Sequence, residues 1–288
     1  MDFYEAVSKD DDTMTDIKDL LNKPGFPRAS QYDPDWVLEN QMGPNALWLL
    51  EWLLEALPLS PGMRVLDLGC GKAITSIFMA KEFGVQVWAA DLWISPEHNR
   101  KRAEAAGVGD AVFPLRAEAH ALPFSDNFFD AVVSIDAYQY FGTDVLYLGY
   151  MLRFVKPGGL VGFASPGLTR SFSVVPKHLA RAQSNGKPFW EDECWSFKTD
   201  QWWYNHWRKN SNISDIRVDT HEDGWRLWRD FEKALEASGK AIFPSDAEAL
   251  ENDQGQYLGF VRAVAKRTGN AGINLYDPAT ALLVGLDK

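Results

Sequence analysis

Asp67, Gly69 and Gly71 stand at alternate positions in the run Val65-Leu66-Asp67-Leu68-Gly69-Cys70-Gly71-Lys72-Ala73. Two glycines so placed let the backbone take positive φ and approach a ligand closely. The stretch after them, residues 73–83, reads as a helix whose unpaired N–H groups and positive dipole end meet the same point. Asp91 follows Gly71 by 20 residues and closes a second apolar run, residues 85–90. From that place a nucleotide-binding βαβ unit presents an acid to ribose hydroxyls. Proton-transfer chemistry has its own candidates in Asp136, Tyr138, Tyr140 and His206, with His178 and His221 as alternative bases. Residues 136–141 follow a predicted fourth strand over 129–135, and open α/β sheets bind ligands beyond the carboxyl ends of their strands.

Two cofactors compete for the glycine turn. A nicotinamide dinucleotide fingerprint needs a glycine three residues after the second one, and Ile74 stands there. The pattern that remains, Asp67-x-Gly69-x-Gly71-x-Ala73, resembles motif I of the class I S-adenosylmethionine-dependent methyltransferases. Three later stretches resemble the same family in order: Glu118-Ala119-His120-Ala121-Leu122-Pro123-Phe124, Phe129-Asp130, and Lys156-Pro157-Gly158-Gly159. The resemblance covers residues 63–165. It implies an α/β fold, a Rossmann-like seven-stranded and mostly parallel sheet with an antiparallel edge, flanked by helices. It also implies S-adenosyl-L-methionine as cofactor, held by Asp67, Gly69, Cys70, Gly71, Asp91, Leu92, Glu118, Ala119 and Asp136. An acid such as Asp67 suits the ammonium and sulfonium of that molecule, where the phosphates of a dinucleotide would be repelled. Two departures stand out: Ala73 replaces the family's third glycine and is expected to open the helix, and Glu118 replaces its usual aspartate.

The elements that must position these groups follow from pattern and composition. The chain has 288 residues, 46% hydrophobic, enough for one large α/β domain with an elaboration. A formal charge of −11 gives no electrostatic footprint for nucleic acid. No apolar run approaches the roughly 18 residues of a membrane span, and the amino terminus has no basic region followed by an apolar one, so a cytoplasmic protein is expected. Cys70 and Cys194 are too few for a disulfide framework and lack metal-ligand spacing, so no metal is expected. The expected organisation is an N-terminal helical segment over the cofactor site (1–60), a cofactor-binding core (61–166), a Trp-rich cap (167–212), the remaining core strands and helix (213–268) and a tail (269–288). Leu275-Tyr276 and Leu282-Leu283-Val284 of the tail pack on the body or on a neighbouring copy, the second choice making a homo-oligomer.

Seven of the 12 tryptophans lie between residues 190 and 228. Aromatic walls can hold a cationic amine, and they also supply bulk to a cap with little other core. Trp203 and Tyr204, beside His206, are the candidates for acceptor contact there; Tyr32, Trp36 and Asn40 are those of the N-terminal segment. There is no G-x-S-x-G elbow and no Walker loop. The reading is methyl transfer to a small polar or zwitterionic acceptor by in-line displacement under an aromatic cap. The alternatives are a non-catalytic S-adenosylmethionine-binding scaffold or sensor and a nicotinamide oxidoreductase.

Overall fold

The computed structural model describes residues 17–269 and Tyr276. Among these, seven strands form one sheet: β1 (Arg64–Leu68), β2 (Gln86–Asp91), β3 (Val112–Arg116), β4 (Phe129–Ile135), β5 (Val155–Leu168), β6 (Ile213–Thr220) and β7 (Leu258–Arg267). Their order is β3-β2-β1-β4-β5-β7-β6. β3, β2, β1, β4 and β5 pair in parallel, while β7 lies antiparallel between β5 and β6. The antiparallel edge expected from the sequence is thus the β7–β6 pair, with β6 outermost. Strand order reverses between β1 and β4, and that switch point is where sheets of this kind bind ligands.

Helices cover both faces because the parallel strands are apolar on both. One face carries α1 (Pro34–Asn40), α2 (Ala46–Ala56), α3 (Ile74–Phe83) and α8 (Gly224–Ser238). The caps of α1 and α2 follow from their sequences: Asp33 accepts from the N–H groups of Asp35 and Trp36, and Asn45 from those of Leu47 and Trp48. α8 turns Leu227, Trp228, Phe231, Ala234 and Leu235 inward at helical spacing, and Trp228 stacks on Phe260 of β7 at 5.7 Å. Between β2 and β3 runs α4 (Pro96–Ala105), and α9 (Ala247–Asp253) precedes β7.

The opposite face is closed by α5 (Tyr138–Phe141), α6 (Tyr147–Leu152) and α7 (Asp200–Trp207). Residues 167–212 therefore do not form a cap throughout, because α7 lays Trp203 and Trp207 on the sheet. Trp203 is 1% exposed and meets Phe163 at 4.7 Å and Tyr138 at 5.7 Å between ring centres. The large apolar area of a tryptophan at helical spacing with Trp207 goes to the core, which removes Trp203 from the candidates for acceptor contact. Tyr204, on the same helix, is exposed. Of the tail, only Gly269 and Tyr276 lie among the described residues, and Leu275 and Leu282-Leu283-Val284 lie outside them; the Tyr276 hydroxyl donates to Asp144 and its ring meets His120 and Tyr150.

Trp203→Ala is expected to cost about 3–5 kcal/mol in chemical denaturation, the usual cost of emptying a buried aromatic site, with no change in acceptor recognition beyond that loss of stability.

Candidate active site

The turn after β1 is built as the sequence requires. Gly69 (φ +77°) and Gly71 (φ +51°) take left-handed conformations. A Cβ on Gly69 would come within 2.4 Å of the Ala137 Cβ, and one on Gly71 within 3.0 Å of the Met42 Sδ. Ala73 differs from expectation: it is not the first helical residue but lies at φ +60°, and α3 begins at Ile74. The family's third glycine thus has a conformational reason here, and alanine bears a cost of roughly 1 kcal/mol for it.

Carboxylates stand at or just beside the carboxyl ends of three adjacent strands. Asp67, on β1, is fully buried; its Oδ2 accepts from the Thr75 and Ser76 hydroxyls, both at 2.6 Å, which ties the first turn of α3 to the strand. Burial raises its pKa to about 6 against the pull of those two hydroxyls. Its Oδ1 has no donor among the described residues, so a ligand ammonium can be met only by that oxygen. Asp91, on β2, accepts from the Gly71 N–H (2.8 Å) through Oδ2 and from Trp93 N–H (2.8 Å) and Ile94 N–H (2.9 Å) through Oδ1. Three bonds leave this carboxylate lone-pair capacity for a hydroxyl donor. Asp136, after β4 at the switch point, lies at φ +50° and accepts from the Gln139 side chain at 2.8 Å. Burial lifts its pKa to about 7, with Asp246 adding to the shift and Gln139 opposing it.

The N-terminal segment lies over the turn. Lys72 Nζ donates to the Glu39 carbonyl at 2.8 Å and Arg102 Nε to Asn40 Oδ1 at 2.8 Å, while Asn99 donates to the Gly71 carbonyl at 2.9 Å. Met42 sits over Gly71, and a Cβ on Gly43 would lie 2.2 Å from Asp136 Oδ2. Loop 41–45 therefore spans the glycine turn and Asp136 together. Asn99 follows Asp91 closely enough in sequence to be expected near the cofactor, whereas Thr75, Ser76, Met42 and Gly43 escaped the sequence reading; only the motif spacing around Thr75 and Ser76 could have pointed to any of them. Trp93 escaped too. It is 75% exposed and Leu92 is 50% exposed, so two large apolar side chains stand in solvent beside Asp91.

Several expected contacts fall elsewhere. Tyr138 is 1% exposed and stacks on Phe163 at 4.8 Å, so it is a core residue and no base. His206 is buried, faces Trp202 at 4.5 Å and engages the Gly142 carbonyl at 3.0 Å; burial lowers its pKa, and it braces the turn after α5. Tyr32 and Trp36 pack on each other, and the Tyr32 hydroxyl donates to Glu82 at 3.1 Å. That anchors them to the far end of α3, away from its amino-terminal turn. Tyr140 remains exposed, at 54%, four residues after Asp136. Glu118 folds back on its own loop, accepting from the His120 N–H at 2.8 Å and meeting His120 Nδ1 at 2.9 Å, and the Ala119 carbonyl accepts from the Tyr147 hydroxyl at 3.0 Å. Cys70 is buried, its thiol pushed up by burial, and contributes backbone to the turn. Among the described residues, no group of His, Cys, Asp and Glu side chains could hold a metal ion.

A cavity bordered by Gln41, Gly43, Glu232, Leu235, Ala241, Ile242 and Phe243 adjoins this site. Glu232, 7% exposed, accepts only a long 3.4 Å bond from the Asp246 N–H. Burial, Asp246 and Glu236 raise its pKa to about 8 against the Asp246 N–H and the Trp228 indole. An unfolded glutamate titrates near ~4.3, so the folded chain holds this proton more tightly. The stability it contributes is complete below that lower value and is lost as pH rises through about 8. Glu232→Gln should therefore match the parent's melting temperature near pH ~4, pull ahead as pH rises and exceed it by its full margin at pH 9, by roughly 2–4 °C per kcal/mol; a gap that stays constant across that range would contradict the assignment.

S-adenosylmethionine fits these residues: a ribose diol for Asp91, the backbone approach at Gly69 and Gly71, and a negative setting for its two cations. Residues 65–159 match the family model described as a methyltransferase domain. The chain is 32% identical over 149 residues to the 2-methyl-6-phytyl-1,4-hydroquinone methyltransferase of Synechocystis sp., a match covering 52% of this chain and 42% of that one. It thus spans less than half the length of that relative. Among solved structures, the phosphoethanolamine N-methyltransferase 2 of Haemonchus contortus, in complex with S-adenosyl-L-methionine, superposes with a TM-score of 0.60 at 19% identity, covering 88% of this chain and 60% of that one. The geranyl diphosphate C-methyltransferase of Streptomyces coelicolor A3(2) superposes with a TM-score of 0.57 at 18% identity, covering 76% and 77%. At those identities the superpositions establish the fold. The matched domain lies over the glycine turn, Asp91 and the loop after β3, so residues 65–159 form a methyltransferase domain of the class I S-adenosylmethionine-dependent type.

Proposed function

We propose that this protein transfers a methyl group from S-adenosylmethionine to a small-molecule acceptor held beyond β4, beneath the aromatic residues of segment 167–212. The observation that carries the reading is the Asp91 carboxylate. It is locked by three backbone N–H groups at the end of β2 and joined to the turn at Gly71. Asp91 would hold the ribose, Leu92 and Trp93 would flank the adenine, and Asp67 Oδ1 would take the ammonium. The cofactor supplies an electrophilic methyl group on a sulfonium, whose departure needs no acid. What remains for the chain is to align an acceptor, exclude water and take a proton. Loop 41–45 shields the turn, and Asp136 Oδ2, beside Gly43, is placed to hold a proton.

The nicotinamide alternative meets an obstacle at the same place. Asp67 and Asp91 repel each other beneath the amino terminus of α3, and a pyrophosphate would add charge of the same sign. The scaffold alternative shares the cofactor and differs only in turnover. The acceptors named for the relatives, a hydroquinone, a phosphoethanolamine and a geranyl diphosphate, are chemically unlike one another.

Calorimetric titration is expected to show S-adenosylmethionine and S-adenosylhomocysteine binding, NADH not binding, and at least a tenfold loss for both adenosyl ligands in Asp91→Ala. Binding of NADH alone would overturn the cofactor. Adenosyl binding without label transfer from methyl-labelled cofactor to any of a panel of amines, phenols and thiols would favour the scaffold.

A further inference from the structure

A run of hydrogen bonds leads from the glycine turn to the segment that covers it. Gly71 is gripped at both of its backbone polar groups: its N–H donates to Asp91 Oδ2 at 2.8 Å, and its carbonyl accepts from Asn99 Nδ2 at 2.9 Å. Asn99, on α4, is 1% exposed, and its Oδ1 accepts from Arg102 Nη1 at 3.0 Å. Arg102 stands three residues later, on the same side of that helix, and donates from Nε to Asn40 Oδ1 at 2.8 Å. Asn40 ends α1 and donates in turn to the Trp36 carbonyl at 2.8 Å. Two residues beyond it, Met42 lies over the turn, so close that a Cβ on Gly71 would come within 3.0 Å of its Sδ.

The guanidinium of Arg102 is therefore bonded to the cover and, through Asn99, to the turn at once. Its donors lie in one rigid plane, so fixing Asn99 also fixes Asn40. Both of these acceptors are neutral amide oxygens, and burial lowers the pKa of the guanidinium. What such a contact sets is relative position more than charge balance. A second tie joins the same two elements, Lys72 Nζ to the Glu39 carbonyl at 2.8 Å. It is the more exposed of the two and ends on a flexible stem. Burial first, and then the charge of Arg102, lower the pKa of that ammonium, which places the two cations side by side.

We propose that Arg102 is a positioning residue for the cofactor, acting on the turn through Asn99 and on the cover through Asn40, and that its bond to Asn40 holds loop 41–45 closed over bound S-adenosylmethionine. This assignment rests on the cofactor reading above and adds what governs the cofactor's residence. Loss of the link frees the cover while Gly69, Gly71 and Asp91 keep their own contacts. Dissociation is then affected far more than association.

The test measures association and dissociation of S-adenosylhomocysteine on the full chain by surface plasmon resonance, together with backbone hydrogen exchange at residues 41–43 and 45. Arg102→Leu, and separately Asn40→Ala, should release the ligand at least tenfold faster with association changed less than threefold. The double variant should release it no more than twofold faster than the faster single variant, because both substitutions cut one link. Arg102→Lys should not restore the parent rate, and Lys101→Ala, an exposed neighbour on α4, should leave both rates unchanged. Exchange at residues 41–43 and 45 should be faster in Arg102→Leu than in the parent, with and without ligand. Unchanged release in both single variants, multiplying effects in the double variant, restoration by Arg102→Lys, an equal effect of Lys101→Ala or unchanged exchange would overturn the assignment and leave the cofactor reading standing. Failure of S-adenosylhomocysteine to bind the parent chain would instead overturn the cofactor reading, while exchange in the ligand-free chain still decides whether Arg102 holds the cover.

Discussion

Negative charge at the carboxyl ends of adjacent strands is the constraint around which the rest of this molecule is arranged. Asp91, Asp67 and Asp136 lie at or beside the carboxyl ends of β2, β1 and β4, three neighbours in the sheet. Each must be compensated in a medium of low dielectric, and each is compensated differently. Asp91 takes three backbone N–H groups, Asp67 two hydroxyls, and Asp136 a side-chain amide. In each case part of the acceptor capacity is left over. A doubly cationic cofactor would find its counter-charge along this edge.

The covering elements make that edge a site and not merely a rim. Loop 41–45 reaches across from Met42 over Gly71 to Gly43 against Asp136, an approach that only glycine permits at residue 43. It is held from behind by the Asn45 cap of α2 and from the side by the Lys72 and Arg102 contacts to Glu39 and Asn40. On the other face, Tyr138, Trp203 and Trp207 anchor α5 and α7 to Phe163. Asp136 is therefore fixed by a rigid aromatic layer on its carboxyl-terminal side, which helps a non-glycine residue tolerate a left-handed backbone.

The histidine and tyrosines that looked suited to proton transfer illustrate how packing competes with chemistry for the same residue types. Tyr138 and His206 are drawn into that aromatic layer, where burial takes both away from a proton-transferring role. Glu232 and Asp246 make the opposite journey. In the sequence they are two acids among 40, one on an amphipathic helix and one before a short one, and neither spacing nor motif singles them out.

The sequence by itself determined the strand–turn–helix–strand unit around Asp67, Gly69, Gly71 and Asp91, the order of the later motifs, and the seven strands, because local apolar period and glycine placement act over a few residues. It also carried the place of Asp136 just beyond the carboxyl end of a central strand. Tertiary structure alone decided that Ala73 occupies a left-handed position, that Trp203 and Tyr138 are core while Trp93 is exposed, and that Tyr32 and Trp36 grip the wrong end of α3 to touch a ligand. It alone gathered Asp136, Gln139, Trp228, Glu232 and Asp246 from three separate segments. Burial and counter-charge are properties of three-dimensional neighbourhoods, and no single stretch of chain encodes what will be withheld from water or left without a partner.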